Sequence, residues 1–282
     1  MDSLTQITLG AAMGEATLGK KIGNRAMLWG AIGGTIPDLD VVANVFMDEI
    51  DALAFHRSIT HSLLFAVTTP LAFGWLTHRF YQSGIYRKPT YKATAMAVWL
   101  LLLGAFAFAI NVISWQLSGH LNWTMVLFSS TALGGIGWLL WHRYYCTELE
   151  EVHASVRDWT WLFFWSIFTH PLLDSCTPYG TQLFQPFSHY RVAFNNISVV
   201  DPMYTLPFIL CVGIAACLPR TSRKRSMWNW AGIAISTAYL FFTFWHKQQV
   251  NQIFEQALMR EQIAVQRYMT TPTILNNTCG RD

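Results

Sequence analysis

The sequence predicts an all-α, polytopic integral membrane protein of about four to six spans, with a polar site at one membrane face. Three observations point there. Hydrophobic residues make up 52% of the 282 and charged residues only 12%, against about 25% charged in soluble domains. Several charge-free apolar runs reach the roughly 17 to 25 residues that a spanning helix needs. Lysine and arginine gather in alternate connections, as expected of segments kept on the cytoplasmic side. Thirteen Trp and nineteen Phe fit the same class, because aromatic rings anchor helices at membrane interfaces. The net charge of +3 is too small to argue for nucleic acid as a stable partner; the expected partner is the lipid bilayer.

Taken in chain order, the first forty residues read as two short helices, about Leu4 to Leu18 and Ala26 to Ile36. A turn from Gly19 to Arg25 joins them, with glycine supplying the reversal. Each is too short for an upright span, and the hairpin returns Asp38 and Asp40 to the side of Asp2. No basic, then apolar, then small-residue order marks a cleavable signal, so the segment is expected to be retained. Ser62 to Thr77 is a short candidate span, and Ala93 to Trp115 and Trp123 to Trp141 are full ones. The aromatic run Trp159 to Thr169 meets His170 before it is long enough. Pro202 to Pro219 and Met227 to Trp245 complete the full-length candidates. Beyond them, Val250, Ile253, Phe254, Ala257 and Leu258 keep helical spacing. Residues 1–245 are therefore expected to form a membrane-embedded domain, and residues 246–282 an amphipathic tail on the external face.

Orientation follows from the basic loops. Arg79, Arg87, Lys88 and Lys92 fill one; Arg220, Arg223, Lys224 and Arg225 fill another; the turn between Trp115 and Trp123 has neither Lys nor Arg. Alternating the chain accordingly brings the His56 to His61 segment, the pair His170 and Asp174, and Asp201 to the external face. That count never used the residues it unites.

The chemistry-bearing residues are histidines and aspartates. His170 and Asp174 are spaced i, i+4, about 40° apart on a helix, close enough to share a metal. An ordinary hydrogen-bonded pair at a helix end explains the two equally well in isolation. His56 and His61 differ by about 140° on a continuous helix, so they are not expected to clamp one ion as a helical pair. Arg57 between them matches two phosphate or carboxylate oxygens. Pro37-Asp38-Leu39-Asp40 sets two carboxylates at the exit of a glycine-rich apolar helix, where charge is costly unless it has a role. Asp40, His56, His61, His170 and Asp174 are the expected ligands of a divalent ion, most simply zinc, with manganese or iron possible. Asp38 and Arg57 are the expected catalytic groups, with one of the carboxylates as general base. Gln6, Thr60, Thr169, Arg191 and Asp201 are assigned to substrate contact or to orienting the ligands. The five cysteines are odd in number, contain no C-x-x-C pair and imply no disulfide framework.

With these residues in place, the chain resembles the membrane-bound metal-dependent hydrolase family named after the bacterial inner-membrane protein YdjM. The resemblance rests on Met1-Asp2-Ser3-Leu4-Thr5-Gln6, Gly34-Thr35-Ile36-Pro37-Asp38-Leu39-Asp40, His56-Arg57-Ser58-Ile59-Thr60-His61-Ser62 and Thr169-His170-Pro171-Leu172-Leu173-Asp174. Tyr179 to Phe184 and Asp201 to Thr205 also fit. The resemblance implies a multi-pass protein of the bacterial inner membrane and a hydrolase activity, without naming a substrate. The order of Asp, His and a distant His-x-x-x-Asp is also similar to the zinc-dependent phospholipase C and nuclease superfamily. That similarity implies a main metal site from Asp40 or Asp38, His56 or His61, His170 and Asp174. At Gln6 the chain departs from relatives that carry His, and a neutral amide is a poor zinc ligand.

The function expected from the sequence is metal-dependent hydrolysis of a small-molecule or lipid phosphoester at the external face. The alternative is a transporter or membrane-organising protein holding a divalent ion. The near absence of ionisable residues within the full-length spans favours a surface site over a conduit.

Overall fold

The computed structural model describes residues 1–45, 48, 57–262, 265, 268–273 and 276–281. His56, an expected ligand, lies outside the described residues. Two compact units divide the chain: Met1–His78 with His153–Asp282, and Arg79–Val152.

The amino-terminal hairpin is tighter than the sequence suggests. Helix α1 (Ser3–Ile22) and helix α2 (Asn24–Thr35) are separated by Gly23 alone, at φ 63°. Lys20 and Lys21 continue the last turn of α1, where cations complement the carbonyl end of the helix dipole. The expected seven-residue turn is thus helical on both sides of one glycine. Asp2 caps α1, accepting from the Thr5 amide at 3.0 Å. The two backbones then approach as closely as glycine allows. A Cβ added at Gly10 would lie 2.3 Å from the Gly30 carbonyl oxygen, and one at Gly34 2.6 Å from that of Gln6. Small residues four apart on facing helices are how membrane helices pack backbone to backbone. The same contact fixes the end of α2 beside Gln6.

After α2 the chain tightens into 3₁₀ turns, Pro37–Val45 and Ile59–His61, and enters α3 (Leu63–Gln82). In the second unit, α4 (Pro89–Ser118) and α5 (Trp123–Leu140) are the helices long and apolar enough to cross a membrane. Their 30 and 18 residues correspond to about 45 and 27 Å of helix. Leu101 and Phe128 are each 73% exposed, which suits hydrocarbon rather than water. A polar link joins the two helices where Asn111 Nδ2 donates to Ser129 Oγ at 3.0 Å.

The first unit resumes with α6 (Val156–Ser175), opened by a capping box between Ser155 and Asp158. It buries Trp159, Leu162, Phe163 and Ile167 completely. Helix α7 (Pro202–Cys217), 16 residues long, and helix α8 (Arg223–Arg260) contain the other two runs expected to span, but among the described residues neither is long and apolar enough to count as a full crossing. Helix α8 passes without interruption through Trp245, so the helical spacing of residues 250–258 extends the same helix. Asn229 of α8 donates to the Ala12 carbonyl at 3.0 Å, and Thr5 meets Thr205 of α7 hydroxyl to hydroxyl at 2.6 Å. Among the described residues, the only strands are β1 (Thr271–Thr273) and β2 (Asn276–Arg281), paired antiparallel; the all-helical expectation did not include them.

Candidate metal centre

Three local structures deliver four side chains to one point. The 3₁₀ turn after α2 carries Asp38, the short turn before α3 carries His61, and one face of α6 carries His170 and Asp174. One ligand atom from each lies within 4.8 Å of all the others. The Nε2 atoms of His61 and His170 are 3.1 Å apart. Asp38 Oδ1 stands 3.4 and 3.3 Å from them, and Asp174 Oδ2 3.4 and 3.5 Å. His61, His170 and Asp174 are fully buried, whereas the Asp38 side chain is 22% exposed and opens the group outward.

The hydrogen bonds show what this group can hold. His170 Nδ1 lies 2.6 Å from the Gly34 carbonyl oxygen, which can only accept, so Nδ1 carries the proton and Nε2 offers a lone pair. That carbonyl belongs to the last turn of α2, where helix geometry leaves carbonyls without partners. Thr60 Oγ1 donates to Asp40 Oδ2 at 3.0 Å and lies 3.1 Å from His61 Nδ1. Its one proton is committed to Asp40, so it accepts from His61 Nδ1–H, and while the ring is neutral His61 Nε2 is also a lone pair. Asp174 Oδ2 is buried without a hydrogen-bond partner among the described residues. While both rings are neutral, four acceptors face one another with Arg57 Nε 3.3 Å from Asp174 Oδ2 as the nearest cation, and a further cation between them is favoured. Two imidazole nitrogens and two carboxylate oxygens fit a divalent ion, and each ring is held through its other nitrogen in the manner of metal-bound histidines.

A proton can stand where that cation would. Burial alone would lower the His61 pKa, yet hydrogen bonds with Asp174, Asp38 and Asp40 carry it up to about 10. Burial alone would raise the Asp38 pKa, yet hydrogen bonds from His170 and His61 hold it below the usual carboxylate range. Both shifts favour positive charge at this point.

A sequence model of a known family, described as YdjM inner membrane protein, matches residues 1–250. The chain belongs to the YdjM inner membrane protein family. It matches no curated protein and no solved structure. Membership and two helices fit to cross a membrane agree on a membrane location.

Within this YdjM-family chain the expected site residues take distinct places. Asp38, expected as a catalytic group, stands among the four converging groups. Asp40, expected as a ligand, stands behind His61, with Oδ2 3.5 Å from Nδ1 and accepting from the Arg57 amide at 3.0 Å. Gln6 donates through Nε2 to Asp174 Oδ1 at 2.9 Å, and the Met1 ammonium binds the same oxygen. Arg57 is buried, its Nε 3.3 Å from Asp174 Oδ2, its Nη1 donating to Thr177 at 3.0 Å, its guanidinium 5.6 Å from the Tyr179 ring centre. Arg57 also adopts φ 61°, rare for a side-chain-bearing residue. Two backbone bonds hold it there: its amide donates to Asp40, and its carbonyl accepts from the Gln182 amide at 3.2 Å.

The remaining expected residues lie away from the four. Thr169 donates back to the Trp165 carbonyl at 2.7 Å, along its own helix. Asp201 caps α7 through the Met203 and Tyr204 amides and accepts from Tyr239 at 3.1 Å. Arg191 donates to the Tyr179 carbonyl at 3.3 Å, beside the ring that faces Arg57. Sequence reasoning did not assign roles to the Gly34 carbonyl, Thr177 or Tyr179. Thr177 follows Asp174 by three residues, and that proximity was its only signal; a backbone carbonyl leaves none.

Proposed function

We propose that this protein is a membrane-bound, metal-dependent hydrolase acting on a phosphoester, lipid-linked or small, at the external face of the bacterial inner membrane. The observation that carries this reading is the convergence of His61, His170, Asp38 and Asp174 within 4.8 Å of one another. These four residues would hold the ion, with zinc the first choice and manganese or iron accepted by the same donors. A bound divalent ion supplies Lewis acidity and lowers the pKa of a bound water towards about 7.

The protein's own groups do the rest. Asp38 is the exposed member of the four and the group that entering water meets first. Asp40 and Thr60 hold the His61 ring, Gly34 holds His170, and Gln6 holds Asp174. Arg57, already fixed by Thr177 and Asp174, presents a planar cation that matches phosphoryl oxygens. Arg191 extends the positive surface beside it.

The external face follows from the basic loops around Arg87 and Arg223. Helices α7 and α8 add two spans to α4 and α5, and α3 and α6 bring the total to six. Residues 246–282 lie on the same face as the metal centre.

Elemental analysis of detergent-purified protein tests the reading, with wild type set against a His170→Ala, Asp174→Ala variant. About one equivalent or more of zinc, manganese or iron, lost in the variant together with hydrolysis of a phosphodiester, is the expected result. No metal in either protein overturns it. Metal without hydrolysis of any phosphoester favours a transporter or membrane-organising protein instead.

A further inference from the structure

At the other end of α1 from the metal centre, the first unit holds an open cavity of about 700 Å³. Its charged lining is Lys20, Arg220, Arg223 and Arg225 against a single acid, Glu15. That acid is already engaged: Arg225 grips it with Nε–Oε1 at 2.7 Å and Nη2–Oε2 at 2.5 Å. Arg225 is further saturated by Asn24 Oδ1 at 2.7 Å and the Leu218 carbonyl at 2.9 Å. The pair is buried and forms a rigid wall. Lys20, Arg220 and Arg223 are exposed on the same lining, so the cavity carries cations in excess of its one, already paired, carboxylate.

Two further features sharpen what would enter. The cavity includes the first turn of α8, whose N-cap residue, Ser222, makes no side-chain capping bond. Helix amides at such an end favour an anion. Met227 and Trp230, both exposed, line the same cavity, giving an apolar and aromatic edge of the kind found at headgroup level. Asn24 Nδ2 bonded to the Ala216 carbonyl at 2.9 Å and Arg220 to the Lys21 carbonyl at 3.5 Å pin the α7–α8 loop to α1 and α2. The cations are therefore spaced by the fold.

We propose that this cavity binds a phosphate-bearing anion, held by Lys20, Arg220 and Arg223. Its volume accommodates a phospholipid headgroup, and basic pockets at the cytoplasmic ends of membrane helices recognise such headgroups. A free phosphate compound carries the same chemistry and would use the same cations. The site is separate from the metal centre: from Gln6 to Lys20 is about 21 Å along α1.

The test uses the full chain in detergent. Binding of short-chain phosphatidylglycerol, short-chain phosphatidylcholine and inorganic phosphate is measured for wild type and for a Lys20→Ala, Arg223→Ala variant. Metal content, read in parallel, reports that the variant is folded. Wild type is expected to prefer phosphatidylglycerol to phosphatidylcholine, and the variant to lose roughly thirtyfold in affinity at about 1 kcal/mol for each cation removed. Should inorganic phosphate compete at similar concentration, the anion is a free phosphate compound; should it fail to compete, the anion is a lipid headgroup. Equal binding by wild type and a folded variant overturns the proposal, as does binding of none of the three. If the double variant loses its metal, single Lys20→Gln and Arg223→Gln variants carry the same comparison. Unchanged affinity in both overturns it too.

Discussion

His61 and His170, 109 residues apart in sequence, meet Nε2 to Nε2 at 3.1 Å. Two N–H groups do not face each other at that distance, and each ring is tied through Nδ1 to Thr60 or to Gly34. At least one Nε2 is therefore a lone pair, and with both rings neutral the two can donate electron pairs to a shared partner.

Replacing Asp40 with Asn should weaken metal binding about 10- to 100-fold without abolishing it, because Asp40 holds His61 and not the ion. Replacing His61 with Ala should remove the metal. Competition with a metal-sensitive dye in detergent distinguishes the two; equal loss in both would place Asp40 among the ligands.

Arg57 stands at φ 61°, a conformation that glycine adopts freely. Arg57→Gly should therefore leave the backbone turn unstrained, while loss of the buried ion pair with Asp174 lowers stability. Phosphodiester hydrolysis should fall roughly 10- to 100-fold in kcat/KM, as expected for loss of hydrogen bonds from a charged group. Arg57→Lys should recover little, since an ammonium lacks the planar fork. Recovery of wild-type activity in the lysine variant would remove the bidentate role.

Gly10→Ala should lower the thermal midpoint in detergent and reduce bound metal, since its Cβ would strike the Gly30 carbonyl at 2.3 Å. The cost of such overpacking is about 1–3 kcal/mol. Gly134→Ala, whose Cβ would meet nothing within 4 Å, should be neutral to within about 0.5 kcal/mol. Equal midpoints for both variants would contradict the close packing of α1 on α2.

Glu15→Gln should destabilise the protein by about 3–5 kcal/mol, because it strands a buried Arg225. Glu15→Leu combined with Arg225→Met should be far milder, since no charge is then left without its partner. Denaturation of both variants in the same detergent measures the difference, and a double variant as unstable as the single one would refute the pairing.

Helical, membrane-embedded character was legible from composition and run length alone. Lipid contact demands unbroken apolar side chains, and Ala93 to Trp115 and Trp123 to Trp141 display them without reference to any neighbour. The pairing of His170 with Asp174 was legible too, because helix geometry by itself puts residues four apart on one face. The small strand pair near the C-terminus and the one-residue turn at Gly23 were not, since neither has an apolar period to announce it. Packing also decided between neighbours that spacing treats alike. Asp38 and Asp40 are two residues apart in one 3₁₀ turn, and only the position of His61 sends one to the centre and the other behind the ring. The carbonyl of Gly34 became a partner of His170 because four glycines bring α1 and α2 into backbone contact. Sequence by itself determined which residues carry charge and which can face lipid, because those are properties of single side chains and short periods. Tertiary structure alone decided which charges share a point, because that depends on distances between segments more than a hundred residues apart.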